Sequence, residues 1–91
     1  MTDISFVQNP STKYWEAEVK VDQDSALHIE RLKQGTISIG VKSVDAPDVR
    51  YAPVRNEFAL ESVIDCDLVA SVYPKYIKIV SQSEVKKAFI A

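Results

Sequence analysis

Few side chains in this sequence could do chemistry. There is one histidine, His28, one cysteine, Cys66, and 13 carboxylates. Nucleophilic catalysis needs a nucleophile, a base and a group that orients the base. Cys66 sits in "IDCDL", between Asp65 and Asp67. Neighbouring carboxylates disfavour the thiolate, which is the reactive form. Cys66 therefore reads as a small apolar filler or a strand-end residue. One His and one Cys are too few for a Cys/His zinc site.

The carboxylates are candidates for two other chemistries. Asp65 and Asp67 share a strand face by alternation, and Asp22 and Asp24 share a turn. Such oxygens suit calcium, yet neither place carries the Gly and terminal Glu of a calcium loop. Paired acids also serve glycoside hydrolysis, but with this many acids some pair is inevitable. Glu16 and Glu18 fall on a solvent-facing side, away from any cleft that would shift their pKa. Gly-rich phosphate loops, G-x-S-x-G and H-E-x-x-H are missing from the sequence. No catalytic residue, metal site or cofactor is assigned.

The elements that would hold these residues are strands. In "YWEAEVKV", Trp15, Ala17, Val19 and Val21 fall on one face, and Tyr14, Glu16, Glu18 and Lys20 on the other. That period of two makes a half-buried strand. "DQDS" at Asp22–Ser25 is turn chemistry. "ALHIERL" then alternates again, so the pair is expected to form a β-hairpin. Trp15 is expected to anchor the core. His28 is expected at the rim, opposite Leu27 and Ile29, and so out of reach of Trp15.

Further strands are expected at Thr36–Lys42, after a turn at Gly35, and at Val49–Val54. The latter carries Pro53, which suits an edge or a bulge. Asn56–Asp65 has both helical and alternating character and is assigned as strand, with Phe58, Leu60 and Ile64 on one face. Strands at Leu68–Tyr73, Tyr76–Val80 and Val85–Ile90 follow, with turns at Val44–Asp48 around Pro47 and at Ser81–Glu84. A short strand in "FVQNP" completes the set. Seven to eight short strands with frequent turns indicate an all-β chain. The expected architecture is a small antiparallel β-sandwich, immunoglobulin-like or jelly-roll-like, in one domain over 1–91.

Composition bounds the partners. The formal net charge is −2 and acids and bases are interspersed, so the broad basic field that captures nucleic acid is absent. No apolar run approaches a membrane span. A single cysteine and an N-terminus without signal-peptide character lead to the expectation of a cytoplasmic protein, or one assembled from the cytoplasm.

One feature departs from simple alternation. The C-terminal strands are apolar on both faces, and such strands need cover on both faces. Val69, Tyr73, Tyr76 and Val80 are therefore the interface candidates. The expected function is a non-enzymatic, self-associating structural or protein–protein interaction module. Small assembly subunits, phage-tail and virion components among them, share this profile. The alternatives are a carbohydrate-binding module that stacks sugar on Tyr14, Tyr51, Tyr73 or Tyr76, and a small enzyme built on acidic residues.

Overall fold

Each strand with one apolar face must bury it against another layer, and two sheets do this for each other. The computed structural model describes residues 2–43, 52–57, 60–70 and 73–91, with backbone alone at 43 and 52–57. The Pro47 turn, Tyr51 and Phe58 lie outside the described residues. The strands are β1 (Thr2–Asp3), β2 (Val7–Gln8), β3 (Trp15–Val21), β4 (Ala26–Arg31), β5 (Ile37–Ser43), β6 (Ala52–Glu57), β7 (Glu61–Asp65), β8 (Lys75–Ser81) and β9 (Val85–Ile90). One helical turn, α1 (Cys66–Val69), separates β7 from β8.

All pairing is antiparallel. A four-stranded sheet has the order β1-β9-β4-β7, and a five-stranded sheet the order β2-β3-β8-β5-β6. Together they form a small β-sandwich, the expected fold. The core is the alternating inward set of both sheets. Val21, Ile37, Ile39, Ile77 and Ile79 come from the five-stranded sheet, and Leu27, Ile29, Ile64, Ala88 and Ile90 from the other. Val19 and Val41 pack against this cluster while partly buried.

Three expectations are corrected. Trp15–Val21 and Ala26–Arg31 do not form a hairpin. β3 pairs with β8 and β4 with β7 and β9, so Asp22–Ser25 is an arch that carries the chain from one sheet to the other. Alternation says which side chains point inward, and a hairpin and an arch both leave Val21 and Leu27 inside. The Ser81–Glu84 turn likewise passes between sheets. Trp15, at the start of β3, is only half-buried and lies outside the buried cluster.

Leu68–Tyr73 is not a strand either. The Asp65 side chain accepts a bond from the Asp67 amide at 2.9 Å and caps a single helical turn. The Ala70 amide closes that turn on the Cys66 carbonyl at 2.8 Å. Asn56–Asp65 is extended at both ends, as assigned, but its ends belong to different sheets: β6 stops at Glu57 and β7 starts at Glu61. Pro53 meets both of its expected conditions. β6 is an edge strand, and its register with β5 shifts where Pro53 and Arg55 oppose Gly40 and Ile39.

One end of the sandwich is tied by polar groups. Arg31 points inward in phase with Leu27 and Ile29 and is 3% exposed. Burial works against its charge, and its guanidinium donates to the Gly35 carbonyl at 2.8 Å. Across the gap, Ser83 Oγ donates to the Lys33 carbonyl at 2.6 Å. The Gln82 amide bonds the Thr36 carbonyl at 3.1 Å. These bonds lock the β4–β5 connection to the β8–β9 connection.

Truncating a fully buried side chain of the central strand, Ile79→Ala, is expected to cost about 2–5 kcal/mol. Trp15→Ala should cost clearly less, because a half-buried ring at a strand end leaves a smaller cavity. Urea unfolding of both variants checks the order; a larger loss for Trp15→Ala would contradict this core.

Candidate functional site

Side chains that might have met in a catalytic site are kept apart by the sheets. Cys66 is fully buried on the inner side of the four-stranded sheet. Burial pushes its thiol pKa up, and the charge of Asp65 adds to the shift. His28 lies on the outer face of the same sheet, so thiol and imidazole face opposite ways. Trp15 belongs to the other sheet altogether.

The outer face of the four-stranded sheet is built in rows. His28 on β4 stands between Val63 on β7 and Phe89 on β9. The imidazole stacks on the Phe89 ring, with centroids 4.5 Å apart and planes 8° from parallel. Lys87 Nζ lies 5.5 Å from the centre of that ring. The next row holds Glu61, Glu30 and Lys87, and Glu30 pairs with Lys86 at 3.5 Å. These residues line an open depression of about 380 Å³. His28 is half-buried there, a rim residue, with one ring face spent on Phe89.

A neighbouring depression of about 410 Å³ is lined by Asp24, Asp65, Asp67, Ser25, Ala26 and Val63. Both acids of one expected pair, Asp65 and Asp67, and one of the other, Asp24, thus reach the same hollow. Asp24 takes a left-handed backbone (φ 65°), which Asp tolerates in turns. Among the described residues no group of three or more His, Cys, Asp or Glu side chains is placed to hold a metal ion.

The four interface candidates do not share a face. Tyr76 and Val80 do lie outward on β8, both half-buried. They sit in a lattice of charge: Lys78 pairs with Glu16 at 3.3 Å, Lys42 with Glu18 at 3.9 Å, and Lys42 Nζ stands 5.8 Å from the Tyr76 ring centre. Val69 is buried in the core, and Tyr73 packs against it while partly buried. The cause is the helical turn at Cys66–Val69, which replaces the alternation of a strand and swings Val69 inward. The Tyr73 hydroxyl donates to the Cys66 carbonyl. The described tyrosines do not converge on one surface either, since Tyr14 precedes β3, Tyr73 points inward and Tyr76 is on the outer face of the five-stranded sheet.

Sequence reasoning missed a different apolar surface. Leu60 (43% exposed) stands just before β7, Val63 (65%) within it and Leu68 (75%) just after it, in α1. Leu32 (56%) joins them, because the Arg31 amide bonds the Leu60 carbonyl at 2.9 Å. The signal was there in the pairs Val63–Ile64 and Leu68–Val69. In β7 alternation turns Ile64 inward and leaves Val63 outside, and in the helical turn Val69 is buried while Leu68 is left outside. No protein family, curated protein or solved structure compared with this chain matches it. Among the described residues no helix is long and apolar enough to cross a membrane.

Tyr73 supplies a test of this geometry. Burial pushes its pKa up to about 12, and the proximity of the Asp67 carboxylate adds to the shift. An unfolded tyrosine titrates near pH ~10. The folded pKa is the higher, so this contribution to stability is complete below pH ~10 and is lost as pH rises through about 12. Spectroscopic titration of tyrosinate should show one late-titrating ring that vanishes in Tyr73→Phe. That variant should also flatten the alkaline loss of stability.

Proposed function

We propose that this chain acts without catalysis, as a subunit that self-associates in a larger protein assembly. The observation that carries the proposal is the apolar margin of the four-stranded sheet. Six large apolar side chains are exposed among the described residues, and four of them stand in or next to β7 and β4: Val63 within β7, Leu60 and Leu68 at its two ends, and Leu32 just past β4. Scattered exposed apolar residues are ordinary on soluble proteins, whereas their concentration at one strand and its two ends favours a contact surface.

The open depressions beside the margin favour contact over small-ligand capture, since ligand sites enclose most of their ligand. A phage- or virion-like assembly fits the profile of a small all-β subunit with charged outer faces and one apolar margin. A stable contact would bury about 1,200–2,000 Å² in total. The four apolar residues would form its centre, with Glu30, Glu61 and Lys86 at its polar rim.

Sedimentation of the wild type over a range of concentrations should show association. Leu68→Lys should weaken it about tenfold, the effect of losing one buried anchor worth about 1–2 kcal/mol. Leu68 is exposed in the single chain, so its thermal melting should be unchanged. A wild type that remains monomeric at every concentration would overturn the proposal.

A further inference from the structure

The pairing along β7 determines which of its backbone groups remain available. The Arg31 amide bonds the Leu60 carbonyl, and the Cys66 amide bonds the Ser25 carbonyl at 3.0 Å. Bonded pairs recur at every second residue of an antiparallel ladder. Leu60, Ser62, Ile64 and Cys66 therefore turn their amides and carbonyls toward β4. Ala26, out of phase with these, exchanges both of its bonds with Ala91 on the opposite side. It follows that Glu61, Val63 and Asp65 turn their amides and carbonyls away from β4. Among the described residues no strand pairs with that edge.

The same three residues present their side chains on the outer face. Their order is acid, apolar, acid, and Asp67 and Asp24 stand close beside Asp65 in the neighbouring hollow. The ion pairs between described residues, Lys42–Glu18, Lys78–Glu16 and Lys86–Glu30, use none of these acids. A second copy of β7 is a poor occupant. Two-fold pairing about Val63 sets Glu61 opposite Asp65 on both sides, and like charges directly opposite destabilise a strand pair.

We infer that β7 is an acceptor edge for strand addition, and that it takes an extended segment of a different protein with basic, apolar and basic residues at alternate positions. The backbone of Glu61, Val63 and Asp65 supplies the ladder, and the acids select the flanking charges. No stretch of this chain carries Lys or Arg two positions to either side of an apolar residue, so none of its own strands meets this requirement. The inference rests on the reading of the chain as a protein-contact module. It gives the β7 edge a heterologous occupant, which competes with self-association for Val63 and Glu61.

The probes are two capped peptides, Gly-Lys-Thr-Val-Thr-Lys-Gly and Gly-Glu-Thr-Val-Thr-Glu-Gly, titrated to millimolar concentration into the isotope-labelled full chain. The basic peptide should shift the amide resonances of Glu61, Val63 and Asp65 and slow their hydrogen exchange. It should bind about tenfold more tightly than the acidic one, as two cross-strand charge pairs imply. Glu61→Lys combined with Asp65→Asn, which keeps the cap acceptor, should remove that preference. Val63→Pro should abolish binding of both peptides, because it deletes an outward amide and leaves the ladder to β4 intact. If Val63→Pro fails to fold, the charge variant still decides the question. Equal binding of the two peptides, or shifts away from β7, would overturn the inference, as would no shift at all. Failure of self-association by sedimentation leaves this result untouched, so the two proposals fail separately.

Discussion

The fold depends on a single layer of apolar side chains shared between two sheets. β8 runs through the middle of the five-stranded sheet, between β3 and β5, and its inward residues Ile77 and Ile79 are fully buried. They face a layer made by Leu27 and Ile29 of β4, Ile64 of β7, and Ala88 and Ile90 of β9. Each sheet has one apolar face, and each lacks cover without the other. The contribution of that burial scales with the apolar area removed from water. It must outweigh the ordering of a chain whose strands pair mostly with distant segments.

That requirement shapes the connections. Only β2–β3 and β5–β6 join chain neighbours within a sheet, while β3–β8, β4–β7, β4–β9, β5–β8 and β1–β9 unite distant stretches. At Asp22–Ser25 and Gln82–Glu84 the chain crosses from layer to layer. The bonds from Ser83 to Lys33 and from Gln82 to Thr36 fasten the β8–β9 crossing to the β4–β5 crossing. A topology this rich in long-range pairing places loop closure ahead of its rewards, which is the physical reason such folds form slowly.

The two outer faces diverge in character. On the five-stranded sheet, Glu16, Glu18, Lys42 and Lys78 form a mesh of opposite charges around Tyr76 and Val80. That mesh covers the apolar atoms there through the stems of the long side chains. On the four-stranded sheet the aromatic pair His28–Phe89 fills the centre, and the apolar excess collects at the β7 margin. A strand can hide only alternate residues, so adjacent apolar residues such as Val63 and Ile64 leave one exposed. The margin is where the sheet ends and no further strand among the described residues covers it.

The sequence by itself determined the class of fold and most of the inward face. Strict alternation at Trp15–Val21, Ala26–Arg31 and Ile37–Val41 identifies which residues face the core, because successive side chains of a strand point to opposite sides. Pro53 announced an edge with a bulge for the same local reason, the loss of an amide. The raised thiol pKa of Cys66 was legible in part from the two aspartates beside it, although burial is the larger cause. Tertiary structure decided what alternation cannot encode. Hairpin and arch share one inward pattern, so the partners of β3 and β4 became known only from the pairing itself. The capped turn at Cys66–Val69 overrode the apolar run that follows it and drew Val69 and Tyr73 inward, away from Tyr76 and Val80. The exposed edge of β7 likewise exists only because β4 takes the other side of that strand, a choice made by the packing of distant segments and by nothing local to Glu61–Asp65.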